Sequence, residues 1–338
     1  MIHVGVDLHQ RFCYMTALET RGKLLQSGAV NNERLALKRY FRQFRGQAVE
    51  VAVEACGFWP AFREVVEPEV KRLVLVHPQR VKAIASAKLK NDRVDSATLA
   101  HLLRCDLLPE SWKADRDTQA RRQQVRLRAT LVRQRTRLKN QVHAVLHQQG
   151  QHSPVTDGFG KRGRQWLGQV KLPEKARQTL AVCLRMIDYY TQEIEEQNRQ
   201  LSVEALKDAR ARWLMTIPGI GVYSAMLLLA EIGNIERFAD KAGLCSYAGL
   251  VPRVRESAGK AARGGITRQG SPYLRWIMVE AAQVATRCSP AAKAYFERLR
   301  KKKHAHVARV ALARKLLSAV HALLRDGVGF EESEFAAV

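Results

Sequence analysis

From about residue 110 to residue 205 the chain holds no run that reads as a strand, and within that stretch Leu180, Ile187, Ile194 and Leu201 recur every seven residues. Cys183, Leu184 and Tyr190 occupy the neighbouring stripe. A repeat of this period belongs to a long helix with one apolar seam. The preceding segment, VRLRATLVRQRTRLKNQVHAVLH, spaces Val125, Val132, Leu138, Val142 and Val145 as a helix does and is decorated with arginine. The break GQHSPVTDGFGKRG separates the two, so they are expected to form an antiparallel hairpin. Such a stripe is structural, an oligomerisation or spacer element, and chemistry is expected in the flanking segments instead.

The first hundred residues have a different pattern. HVGVDLH, FCYMTALET and LLQSGAV are short apolar or alternating runs, the last two separated by a turn-like RGK, and predict a three-strand meander. AVEVAVEA (48–55) and RLVLVHP (72–78) are rich in valine and leucine and read as more deeply buried strands. NNERLALKRYFRQFR and FWPAFREVVEPE carry helical spacing between them. Strands interleaved with helices predict an α/β sheet with at least one crossover.

The last third opens with LMTIPGIGVYSAMLLLAEIG (214–233), in which Pro218, Gly219 and Gly221 end one helix and start the next. Free backbone N–H groups at the new helix start suit a phosphate, and the pattern reads as a helix-hairpin-helix that grips duplex backbone without reading bases, with a plain tight helical turn as the ordinary alternative. VPRVRESAGKAARGGITRQGSPYLR (251–275) is basic, rich in small residues and without periodicity, which predicts a functional loop. Helices are expected from there to about residue 325.

Charge narrows the class of partner. The chain of 338 residues carries 57 Lys and Arg against 32 Asp and Glu, a formal net charge of +25. That balance points to nucleic acid, because each phosphate neutralised releases condensed counterions. A membrane partner is not expected: MIHVGVDLHQ lacks a signal-peptide pattern, and uncharged apolar stretches such as AMLLLA are too short to span. Six scattered cysteines without CxxC or Cys/His spacing suggest neither a zinc site nor a disulfide frame, and a cytoplasmic setting is expected.

Against this basic background a few carboxylates stand out. Asp7 closes the first strand in VGVD, and Glu54 closes the fourth in VAVE. Strand ends of an open sheet face the crevice where α/β proteins place their sites. Asp92 and Asp95, in KLKNDRVDSATLAHLLR, lie three residues apart and share a side if the segment is helical. Four converging carboxylates suit Mg²⁺ shared with substrate phosphate. Surface charge and strand-end turns are the ordinary alternatives for each residue taken alone.

In order and spacing, VGVDLH, VAVEACGFW, KNDRVDSATLAHLLR, IPGIG, AGLVPR and RESAGKAARGGITRQGSPYLR resemble the DEDD transposases of insertion sequences, the family numbered one hundred and ten, together with its pilin-inversion relatives. The resemblance covers nearly the whole chain. It implies an α/β plus α architecture: a RuvC-like, RNase H-type catalytic domain over 1–108, an antiparallel coiled-coil linker over 109–205, a mostly helical transposase domain with a helix-hairpin-helix over 206–328, and a tail over 329–338. The family tetrad falls on Asp7, Glu54, Asp92 and Asp95, holding Mg²⁺ or Mn²⁺. The family serine, which forms a covalent phosphoserine link to the cut strand in a site assembled between subunits, aligns with Ser257. The loop after Ser257 is about a residue shorter than the family version, which leaves Ser271 as a second choice. Arg253, Arg255, Lys260, Arg263 and Arg268, with Gly219 and Gly221 of the hairpin, are the expected nucleic-acid contacts. Donor and target double-stranded DNA, a structured guide RNA encoded by the element, and a homo-oligomer (dimer or tetramer) are the implied partners.

Three other functions share some of these features. A RuvC-like nuclease or resolvase would hydrolyse DNA with the tetrad and water alone, without the serine. An actin-like sugar kinase shares a GVDLH-type first strand, but needs a second glycine-rich nucleotide-binding half in place of the helical, basic one here. An architectural DNA- or RNA-binding protein would need no carboxylate tetrad.

Overall fold

The computed structural model describes residues 1–84, 91–257 and 260–331, the side chains of residues 79, 83 and 254–263 excepted. The chain divides into two compact units, Met1–Lys113 and Ala114–Val338.

In the first unit β1 (Ile2–Leu8), β2 (Phe12–Glu19) and β3 (Leu24–Asn31) form the expected antiparallel meander. After α1 (Arg34–Arg42) the chain returns as β4 (Val49–Glu54), parallel to β1. Then α2 (Trp59–Val66) leads into β5 (Arg72–Val76), parallel to β4. The sheet order is β3-β2-β1-β4-β5. Helices α3 (Pro78–Ile84) and α4 (Asp92–Arg104) follow.

Side-chain alternation assigns the two faces of this sheet. Ile2, Val4 and Val6 of β1 and Val49, Val51 and Val53 of β4 pack with Leu37, Tyr40 and Phe41 of α1 and Trp59 and Phe62 of α2. On the opposite face Ala52, Val74 and Val76 meet Leu99 and Leu103 of α4. Both faces are therefore covered, which is why β4 and β5 read as continuous apolar runs. The approach of α4 is unusually close at one point. A Cβ built on Gly5 would stand 2.0 Å from the Ser96 carbonyl oxygen and 2.4 Å from the Ala100 nitrogen. Only glycine admits the helix backbone there, and beside it the buried hydroxyls of Thr16 and Ser96 meet at 2.8 Å.

The second unit is mostly helical. Its long helices α5 (Arg116–Gln148) and α7 (Glu174–Lys207) are joined through α6 (Lys161–Gln169). Gln124 bonds Glu204, Arg128 bonds Asn198 and Arg135 bonds Thr191, so the two helices run antiparallel. The heptad residues Leu180, Ile187, Ile194 and Leu201 are all buried within the one chain. Beyond α7 come α8 (Ala209–Met215), α9 (Val222–Ile232) and α10 (Lys241–Tyr247). The segment read as a loop forms a two-stranded antiparallel ribbon, β6 (Pro252–Ser257) and β7 (Lys260–Ile266), with Ser257 opposite Lys260. Its strands place charged residues among both sets of alternating positions, Arg253 and Arg255 on one and Glu256 on the other, so no apolar period-2 signal betrays them. Helices α11 (Pro272–Cys288), α12 (Pro290–Arg300) and α13 (Ala305–Asp326) complete the chain.

Helix α9 is buried on every side from Ala225 to Ile232 and includes a fully buried carboxylate, Glu231. Arg126 of α5 grips that carboxylate with two bonds, Nε at 2.7 Å and Nη2 at 2.9 Å, and the Ser271 hydroxyl donates a third at 2.9 Å. Arg122 caps the same helix end by donating to the Ala230 and Glu231 carbonyls. A buried charge is tolerated when its lone pairs are filled in this way.

Two substitutions test these packings. Gly5→Ala forces the α4 backbone off β1 and is expected to cost about 1–3 kcal/mol, read as a lowered urea midpoint of the intact protein. Glu231→Ala orphans the Ser271 hydroxyl and the Arg126 fork and is expected to cost about 1–3 kcal/mol in the same measurement.

Candidate functional site

The meander returns β1 to the centre of the sheet, and its alternation sends His3, Gly5 and Asp7 to the face that α4 covers. In the parallel ladder Val6 pairs with Val53, so Asp7 and Glu54 are the next residues on adjacent strands. Glu54 in turn pairs with Val76 of β5. The two carboxylates thus end neighbouring parallel strands on the same side of the sheet.

Helix α4 delivers the other pair. Asn91 caps it, accepting from the Val94 N–H at 2.9 Å, and Asp92 and Asp95 occupy its first turn, where the helix dipole favours negative charge. The Gly5 contact holds this turn against β1, and the Thr16–Ser96 bond ties it to β2. Asp7, Asp92 and His9 come together so that one ligand atom from each lies within 4.8 Å of the others. His9 Nε2 is 3.3 Å from Asp7 Oδ2 and 3.5 Å from Asp92 Oδ2.

Burial pushes the Asp7 carboxyl above its ordinary value. The His9 charge and hydrogen bond pull it down, while Asp92 and Asp95 push it up again. Both aspartates of α4 therefore act electrostatically on the strand-end carboxylate. Two carboxylates and an imidazole nitrogen make a mixed oxygen and nitrogen donor set that fits a small divalent cation, which would relieve the crowding of negative charge. His9 was missed by sequence reasoning aimed at carboxylates. The signal was present in VGVDLH, since residues two apart along an extended segment share a side.

The remaining sequence-predicted residues lie in the second unit. Gly219 has φ +85°, and a Cβ on it would stand 2.2 Å from the Ala281 carbonyl oxygen, so its place in the turn is fixed by packing against α11. Gly221 caps α9 without any side-chain bond to the first-turn N–H groups. Arg253 and Arg268 are exposed, Arg268 with φ 56°. The side chains of Arg255, Ser257, Lys260 and Arg263 lie outside the described residues; their backbone forms the ribbon. Ser271, the second serine, is 8% exposed, caps α11 by accepting from the Leu274 N–H and donates to Glu231. Both capacities of its hydroxyl serve the fold. No helix among the described residues is long and apolar enough to cross a membrane.

Comparison with known proteins matches two stretches of the chain, the first of which runs through the first unit and α5. Residues 4–150 match the model of the DEDD transposases of the IS110 type, and residues 211–297 match that of the transposase IS116/IS110/IS902 family. The transposase for insertion sequence element IS1328 of Yersinia enterocolitica is 27% identical over 283 residues, 83% of each chain. The transposase for insertion sequence element IS1111A of Coxiella burnetii is 25% identical over 299 residues, 84% of this chain and 78% of that one. The pilin gene-inverting protein of Moraxella lacunata is 23% identical over 341 residues, 98% of each.

The Asp7 shift has a signed consequence. A carboxyl whose folded pKa is raised favours the fold while protonated, and that contribution is lost as pH rises through the folded value. Asp7→Asn is therefore expected to raise the unfolding midpoint at neutral pH in EDTA. The gain shrinks as pH falls below the ordinary aspartate range, where the carboxyl is protonated in both states; thermal unfolding at a series of pH values reads it.

Proposed function

The chain belongs to the DEDD transposases of the IS110 type, enzymes that cleave and recombine DNA, and on that premise we propose that it cuts and transfers DNA strands with a divalent-metal tetrad and a serine nucleophile. The observation that carries the reading is the placement of Asp7 and Glu54 at adjacent strand ends on the face covered by the helix that bears Asp92 and Asp95. The five-stranded sheet with order β3-β2-β1-β4-β5 supports a RuvC-like, RNase H-type catalytic unit. The antiparallel α5 and α7 support the coiled-coil linker, and α8, the turn and α9 support the helix-hairpin-helix.

Asp7, Glu54, Asp92 and Asp95 would hold Mg²⁺ or Mn²⁺, with His9 beside them. Such a cation supplies charge stabilisation at the cleaved phosphate. The protein's own part is to hold two of these carboxylates at strand ends and two in the first turn of α4, where they approach a phosphate only when neutralised. The Ser257 hydroxyl attacks the phosphorus and gives up its proton. The bond to the leaving sugar oxygen breaks, that oxygen takes up a proton, and the strand remains joined to the protein as a phosphoserine ester. Attack by a sugar hydroxyl of another strand on that ester then completes transfer and frees the serine.

Arg253, Arg255, Lys260, Arg263 and Arg268 are placed by sequence on or beside the ribbon that carries Ser257 and would bind flanking phosphates. The uncapped N–H groups after Gly221 suit a further duplex phosphate. An element-encoded structured RNA would choose donor and target sites by base pairing, and the active form would be a dimer or tetramer in the cytoplasm.

Ser257→Ala is expected to abolish the covalent protein–DNA adduct and to slow strand transfer by at least about a thousandfold, read on denaturing gels with labelled element ends. Asp92→Ala is expected to lose cleavage altogether. Cleavage that persists in the serine variant would reassign the chain as a hydrolytic RuvC-like nuclease. Sequencing of nucleic acid copurified with the protein, expressed with its flanking DNA, is expected to return a discrete RNA from that flank.

A further inference from the structure

On the second unit, arginines of α5 and aromatic rings of α9 and α11 alternate. Tyr273 and Trp276 lie one turn apart on α11 and so face the same way. The Arg126 and Arg133 guanidinium groups stand 5.0 Å and 5.7 Å from the Tyr273 ring centre, and Arg133 Nη2 donates to the Tyr273 hydroxyl at 3.1 Å. The Arg128 guanidinium stacks 4.0 Å from the Tyr223 ring centre. Tyr223 donates its hydroxyl proton to the Val125 carbonyl at 2.9 Å, and its ring centre is 6.5 Å from that of Trp276.

These groups differ in what the fold already asks of them. Arg126 is neutralised by Glu231 and serves the core. Arg128 and Arg133 pair with no carboxylate among the described residues; their partners are Asn198, Thr130 and the tyrosines. Trp276 remains 38% exposed, although burying an indole is among the more favourable things a fold does with one. The setting is rigid, because Ser271 at the start of α11 is tied to Glu231 and Tyr273 follows two residues later. A rigid, exposed indole flanked by unneutralised guanidinium groups matches the chemistry of single-strand binding, an aromatic face for a base and cations for the phosphates beside it.

A paired duplex cannot use such a face, since its bases are stacked on one another. A DNA strand that has been cut can, and cutting DNA strands is what this family of enzymes does. We propose that Trp276, backed by Tyr223 and flanked by Arg128, Arg133 and Tyr273, is a stacking platform for an unpaired base of a DNA strand. The proposal rests on action on DNA and does not depend on Ser257 as the nucleophile.

The test is equilibrium binding by the full chain in EDTA, followed by fluorescence anisotropy with a labelled single-stranded oligodeoxynucleotide, the matching duplex and the matching single-stranded RNA. Trp276→Leu is expected to weaken single-stranded DNA binding about tenfold, the loss of one stacked base. Duplex affinity should stay within about twofold and the unfolding midpoint should not move, while Trp276→Phe keeps most of the single-strand affinity. In the unmodified protein a single 2-aminopurine in the oligodeoxynucleotide is expected to be quenched on binding at one position of the strand. An unchanged single-strand affinity in Trp276→Leu, an equal loss on duplex, or dependence on Trp276 for the RNA alone overturns the proposal. If Trp276→Leu does not fold, absence of positional quenching in the wild-type protein overturns it. Because the readout needs neither metal nor cleavage, it is decided separately from the serine mechanism.

Discussion

The candidate site depends on one close contact, the backbone of α4 lying on β1 at Gly5. An ordinary helix-on-sheet packing keeps a layer of side chains between the two backbones. Here that layer is missing for one residue, and the neighbouring hydroxyls of Thr16 and Ser96 bond each other, with Ser27 and the Arg93 carbonyl as their further partners. The contact sits two residues before Asp7 on the strand and one residue after Asp95 on the helix. A strand-end carboxylate and the first turn of a helix are thereby drawn together, where burial first, and repulsion from Asp92 and Asp95 after it, raise the Asp7 pKa. Like charges held this close in a half-buried place are stable only because the rest of the unit fixes them, and a cation would discharge them.

The excess of positive charge is divided between structure and surface. Helix α5 holds nine arginines and lysines against a single aspartate, which at first suggests one continuous nucleic-acid face. Two of these residues are instead consumed internally: Arg122 fastens the end of α9 and Arg126 satisfies the buried Glu231. Others, such as Arg128 and Arg133, are held by aromatic rings, an amide and hydroxyls and pair with no carboxylate among the described residues. Basic composition therefore predicts the class of partner, while the pairing of each guanidinium decides which side chains are left to meet it.

Much of the architecture was legible in the sequence for identifiable reasons. The valine runs around Val51 and Val74 read as buried strands because the sheet is covered on both sides, and the meander was readable through its short turn-linked alternations. The heptad residues of α7 read as a helix because they all face one seam. The ribbon around Ser257 was not legible, since charged residues among both sets of its alternating positions erase the signal that marks a half-buried strand. Glu231 gave no hint of burial, because a lone carboxylate in AMLLLAEI differs from a surface residue only by partners that lie more than a hundred residues away and forty residues away, Arg126 and Ser271.

The sequence by itself determined the kind of most elements and the class of partner, and singled out four carboxylates as candidates, because period, charge and strand-end position are local properties written in consecutive residues. Only the tertiary structure decided that Asp7 and Glu54 end adjacent parallel strands, that His9 stands between Asp7 and Asp92, and that Ser271 is spent as a helix cap on a buried carboxylate. Those facts follow from ladder register and from the depth to which one helix settles on a glycine. Both are set by contacts between residues far apart in the chain, and no window of sequence contains them.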